Sequence, residues 1–175
     1  MKCSLHDCSV YIINPKNLLL MGYKRKFSVT LTSSVLNLEA ELVAYKRTPE
    51  TYMMSRKEIP SVSYEVDVEN CLPQLNLSPG NVSEEAMHKH HLSPGRDGRM
   101  YLCCTPLPDK ALVPIIKLWL AHQALCVEFG LDIVQLEEFY KKAVENKIIQ
   151  ECDDVTDFVL KVCNAKLEVL ELNED

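Results

Sequence analysis

Residues 27–44, FSVTLTSSVLNLEAELVA, carry the pattern on which the fold turns. Phe27, Val29 and Leu31 alternate with Ser28, Thr30 and Thr32, the two-residue period of a strand with one face buried. Leu36, Leu38, Ala40 and Leu42 repeat the alternation against Asn37, Glu39 and Glu41, and Ser33-Ser34 falls between the two runs. The stretch therefore predicts an antiparallel hairpin. Glu, Ala and Leu also suit a helix, an alternative that residues 36–44 leave open.

Working outward, SVSYEVDVE at 61–69 is the cleanest alternating run, with Val62, Tyr64, Val66 and Val68 on one face and Ser61, Ser63, Glu65, Asp67 and Glu69 on the other. Ser9 to Ile13 predicts a fourth strand, ended by Asn14-Pro15. Between 71 and 108 prolines and glycines punctuate the chain, and Leu-Ser-Pro-Gly occurs at 77–80 and again at 92–95. Proline sets the first central position of a turn and glycine accepts positive φ at the second, so each copy predicts a type II turn. A short helix is expected over 83–90, capped by Ser83 with Glu84 and Glu85 in its first turn. Met100 to Cys104 reads as a strand leaving the loop.

Downstream the period lengthens. Residues 109–129 predict a helix with little polar face, stopped by Gly130 and central to the core. Asp132 as cap, Gln135 three residues on and a Leu131–Leu136 staple predict a second helix, with Ile133, Leu136, Tyr140 and Val144 inward. A third is expected from Asp153 or Asp154, with Val155, Phe158, Val159 and Val162 inward; KLEVLEL at 166–172 fits helix or strand equally. The fold class expected is α+β: an N-terminal antiparallel sheet of about four strands followed by a C-terminal bundle of about three helices. Residues 1–75 form the β-rich part, 76–108 a turn-rich connector and 109–175 the helical part, within one compact domain of 175 residues.

Composition narrows the function classes. Hydrophobic residues at 47% and charged residues at 25% are those of a folded globular chain. Five glycines leave few positions for phosphate-cradling loops. No Walker loop, dinucleotide fingerprint, G-x-S-x-G elbow or H-E-x-x-H occurs. The first residues lack the pattern of a secretory signal, and the apolar run at 111–129 is interrupted by Pro114, Lys117, His122 and Gln123, short of a bilayer span. The expectation is an intracellular protein, cytoplasmic or nuclear, whose eight cysteines are mostly free thiols.

Charge is uneven. Residues 130–175 hold twelve acidic and five basic side chains, and the helical part is expected to present an acidic surface. Residues 16–57 hold eight basic and three acidic, with Lys24, Arg25, Lys26, Lys46 and Arg47 the candidate binding residues for RNA or an anionic membrane, or else the charged rim of a sheet. MHKHHLSPGRDGRMYLCC at 87–104 offers His88, His90, Cys103 and Cys104 as candidate zinc ligands, although two adjacent cysteines serve one tetrahedral ion poorly. Cys3, His6 and Cys8, with Cys71 from elsewhere, are a second candidate set. His122, on the apolar helix beside Trp119 and Cys126, reads as a hydrogen-bonded core residue.

The function expected is that of a non-enzymatic interaction protein, regulatory, accessory or structural, with another protein as partner, RNA or anionic membrane at the basic patch, and self-association by edge strands. No cofactor is expected. A zinc-stabilised module using the loop from His88 to Cys104 is the alternative, and a cysteine-dependent enzyme the third reading. In its low glycine, high cysteine and scarcity of motifs the composition resembles small accessory or matrix proteins of RNA viruses, a likeness that assigns no residue a role.

Overall fold

The computed structural model describes residues 12–13, 24–47, 52–53, 63–95, 97–103, 107, 109–130, 135, 138, 141 and 155–173. Its chain runs β1 (Ile12–Ile13), β2 (Lys24–Thr32), β3 (Asn37–Arg47), β4 (Tyr52–Met53), β5 (Ser63–Asp67), α1 (Glu84–His90), β6 (Leu92–Pro94), β7 (Met100–Leu102), α2 (Asp109–Phe129), α3 (Val155–Val162) and β8 (Lys166–Leu172). Six strands form an antiparallel sheet in the order β6-β7-β5-β3-β2-β8, and β1 pairs with β4 as a separate ladder. The protein is α+β, with six strands in its main sheet where the alternation predicts about four.

The hairpin is the one its pattern predicts. Thr32 pairs with Asn37, and Phe27, Val29 and Leu31 face Leu42, Ala40 and Leu38. The Ser33 hydroxyl closes the loop by accepting from the amides of Val35 (3.3 Å) and Leu36 (2.9 Å). These core-facing side chains are buried, Ala40 partly so, and α2 lies across them, with Leu112, Ile116, Trp119 and Leu120 fully enclosed. Each such leucine, isoleucine or phenylalanine contributes roughly 1.5–3 kcal/mol by leaving water.

Several elements depart from the sequence pattern for identifiable reasons. The strand at 61–69 is described from Ser63 and stops at Asp67, where its carboxylate accepts from the Glu69 amide (3.0 Å) and the chain turns into short 3-10 segments at Glu69–Cys71 and Pro73–Leu75. The first Leu-Ser-Pro-Gly is a turn, with Gly80 at φ 78° and the Asn81 amide bonded to the Ser78 carbonyl. The second is not: Leu92–Pro94 is β6, paired with β7, and the reversal falls on 95–99. Gly95 is needed there because a side chain at that position would collide with the Tyr101 ring.

Helix α1 starts as expected, the Ser83 hydroxyl accepting from the Ala86 amide (3.1 Å), and ends at His91 in the left-handed conformation. In α3, Val159 is buried and Val155 and Phe158 pack against the core as expected, Thr156 is buried beside them, and Val162 alone of the expected stripe is exposed. The helix expected after Asp132 lies almost wholly outside the described residues, of which Gln135, Glu138 and Lys141 are helical. KLEVLEL resolves as a strand. Asn164 adopts φ 47° and the Ala165 amide bonds the Leu160 carbonyl (2.8 Å), a left-handed helix stop that turns the chain into β8 beside β2. The sheet thus takes strands from all three segments of the sequence.

Helix α2, at 21 residues, is long and apolar enough to cross a membrane, beyond what its interrupted sequence suggests. Twelve of its residues are nevertheless buried within the protein, as in a core helix.

Candidate interaction surface

The basic residues near the hairpin divide between the two faces of the sheet. The Arg25 guanidinium forms a bidentate pair with Glu171 (Nε–Oε1 2.6 Å, Nη2–Oε2 2.7 Å) and bonds Asp109 at the start of α2 (2.5 Å). It also lies over the Phe27 and Tyr64 rings, 5.5 and 5.6 Å from their centres. These contacts raise its pKa, chiefly through the hydrogen bond to Glu171, and the same bond holds the Glu171 carboxyl below its ordinary value. Arg25 therefore clamps β2, β8 and α2 together.

Lys24 and Lys26 occupy the opposite register row, Lys26 with Glu41 at 3.9 Å. Lys46 shares the row of Arg25, across from Tyr64, and Arg47 closes β3 with a side chain outside the described part. The outer sheet surface so mixes Lys24 and Lys26 with Glu39 and Glu41.

The histidine-cysteine loop is also dispersed. His88 is exposed, Cys103 is half-buried with its amide on the His91 carbonyl, and Cys104 lies outside the described residues, as do Cys3, His6 and Cys8. Cys71 is enclosed, its thiol pushed up to about 12 by burial. Among the described residues no three His, Cys, Asp or Glu side chains are grouped to hold a metal ion.

His90 instead joins a buried polar node. Its Nδ1 is 2.7 Å from Gln123 Oε1, and its carbonyl accepts from Trp119 Nε1 (2.9 Å) and Gln123 Nε2 (3.4 Å). Gln123 Nε2 also reaches the Trp119 carbonyl (3.2 Å) and His122 Nδ1 (3.5 Å), and His122 Nε2 is 3.2 Å from the Cys126 sulfur. The amide oxygen can only accept, so His90 carries its proton on Nδ1, and the two amide hydrogens of Gln123 are shared among the His90 and Trp119 carbonyls and His122 Nδ1. The bond to Gln123 is complete with the His90 ring neutral. Burial lowers the His90 pKa, which favours that same state. A thiol beside an imidazole has the makings of a nucleophile. Here both groups are sealed in the core, where they tie α1 to α2.

A second polar group knits β5 to the β6–β7 hairpin. Asp67, on the outward row yet only 5% exposed, pairs with Arg99 (2.5 Å), whose pKa that bond raises. The Glu69 carboxylate accepts from the Met100 amide (2.6 Å), and the Tyr101 hydroxyl donates to Asp97 (2.6 Å).

Among the described residues, what remains open is an edge. β6 ends the sheet on one side with three residues, including Pro94. The part of β3 beyond β5 is capped by side-chain amides, Asn70 donating to the Glu41 carbonyl and Gln74 to the Glu39 carbonyl, both at 3.0 Å. β8 ends the other side with seven residues paired, among the described residues, to β2 alone. Its outward row is Lys166, Glu168, Leu170 and Leu172, the leucines 53% and 38% exposed. Sequence reasoning left this surface unseen because 166–172 fitted a helix as well as a strand.

These features define an α+β protein in which His90, His122 and Cys126 are enclosed and whose sheet, among the described residues, presents one long edge. No protein-family model, no curated protein and no solved structure matches the chain.

Proposed function

We propose that this is a non-enzymatic interaction protein that engages a protein partner through the free edge and outer face of β8. The observation that carries this reading is a seven-residue strand edge that no described strand pairs, together with two exposed leucines on the same strand. A strand edge supplies a row of backbone donors and acceptors, and alternate side chains supply selectivity, the physical basis of recognition by strand addition. The free thiols of Cys71 and Cys163 support an intracellular setting.

The test is quantitative affinity capture comparing the native chain with a Leu170→Asp, Leu172→Asp variant and with a Lys24→Glu, Lys26→Glu variant. Partners lost with the leucine variant and kept with the lysine variant are expected. A captured set that ignores the leucines overturns the reading, and loss of RNA or anionic lipid with the lysine variant alone would return the function to the basic residues.

A further inference from the structure

We infer that the strand added at β8 is the β8 of a second copy of this chain, antiparallel and centred on Val169. The inference rests on the reading of β8 as the partner surface and names the occupant. Three observations carry it.

First, among the described residues the fold protects its other edges and leaves this one open. The β6 edge is three residues long with a proline, and the overhang of β3 is capped by the amides of Asn70 and Gln74. Short strands, proline and covering groups are the devices that stop one sheet from pairing with another. β8 keeps seven residues in regular pairing, without a comparable cap among the described residues.

Second, the charge that would ordinarily blunt such an edge is neutralised. Glu171 lies on the core-facing row of β8, where a buried carboxylate would oppose a second sheet. Both its oxygens are instead held by Arg25, at 2.6 and 2.7 Å.

Third, the sequence of β8 suits its own reverse. Two copies related by a twofold axis through Val169 pair all seven residues. Lys166 then faces Leu172, Leu167 faces Glu171, Glu168 faces Leu170, and Val169 faces itself. No like charges are opposed. Shifting the centre to Glu168 or Glu171 sets that carboxylate against its own copy, which is destabilising, and shortens the ladder. The Val169-centred register also brings Leu170 of each copy diagonal to the other, within reach for side-chain contact. The two six-stranded sheets become one continuous sheet, an isologous arrangement that closes on itself.

The experiment is sedimentation equilibrium of the full chain across a wide concentration range, with two variants at one exposed position. A reversible dimer of twice the 19.9 kDa protomer mass is expected. Leu170→Glu opposes Glu168 of the second copy at two symmetry-related places and should weaken the dimer about tenfold or more at low salt. Leu170→Lys sets opposite charges together there and should dimerise as tightly as the native chain or more so. Circular dichroism of both variants should match the native spectrum, since Leu170 is more than half exposed.

A chain that stays monomeric at every concentration, or a dimer indifferent to Leu170→Glu, overturns the inference. In a monomer whose protein capture still depends on Leu170 and Leu172, the second copy is overturned and the partner surface stands. A monomer whose capture ignores those leucines overturns both.

Discussion

Arg25 faces two carboxylates and two aromatic rings, and its replacement by glutamine removes all four attractions while keeping some of the side chain's bulk. The carboxylates are partly exposed, so each ion pair is worth at most about 1 kcal/mol and each ring contact a similar amount; Arg25→Gln should cost roughly 1–3 kcal/mol in chemical denaturation. The loss should itself depend on pH. Glu171 titrates below its unfolded value, so its contribution is present above about pH 4.3 and disappears as pH falls through the folded value. The gap between native and variant stability should therefore narrow from pH 6 to pH 3. His90 behaves in the same direction at higher pH. Its folded pKa is lowered, so the neutral ring's contribution is complete above about pH 6.5 and is lost as pH drops toward the folded value. His90→Phe should be less stable at pH 7.5 but show a shallower decline between pH 7.5 and pH 5, read from denaturant midpoints. None of these roles was legible locally: the partners of Arg25 are 146 and 84 residues away, and His90 meets Gln123 across 33. A run of basic residues records net charge, and the positions of distant carboxylates decide which of those charges reach solvent.

Secondary elements were legible where burial imposes a long, regular period. The hairpin 27–44, the Ser83-capped helix and the helix stopped by Gly130 all follow from alternation, capping chemistry and a glycine at positive φ. The elements missed are those specified by tertiary pairing. β6 holds three residues, too few to show a period, and the second Leu-Ser-Pro-Gly was drawn into it by β7, whose residues Met100–Leu102 open the strand expected at Met100 to Cys104. β8 follows α3 through a stop that depends on one residue. Asn164→Gly should be neutral or slightly stabilising, while Asn164→Val, β-branched in a left-handed conformation, should cost about 1–2 kcal/mol. Ser83→Ala should cost about 0.5–2 kcal/mol through the lost cap. Thermal melts of the three variants, ranked against the native chain, check the stop and the cap at once.

At the scale of the molecule, the division into a β-rich first part and a helical last part describes the sequence better than the core. Phe27, Val29 and Leu31 are flanked by β3 on one side and β8 on the other, with α2 beneath them. A fragment of residues 1–108 lacks α2, α3 and β8, and should show neither the near-ultraviolet dichroism nor the dispersed amide spectrum of the whole chain. The whole chain should unfold in a single transition seen alike by backbone and aromatic probes. A fragment that folds by itself would mean that the first hundred residues hold a core of their own.

The neighbourhood of β2 and β8 also sets a clock for biosynthesis. β2 emerges early, yet the strand that completes its second edge is encoded more than a hundred residues later. At about 5–20 residues per second, the ribosome leaves that edge waiting for roughly five seconds or more. During that interval the nascent hairpin shows neighbouring chains its bare backbone and a stripe of phenylalanine, valine and leucine, the species most in need of a chaperone. Synonymous changes that slow translation between α2 and β8 should then lower soluble yield while leaving the finished protein's stability untouched.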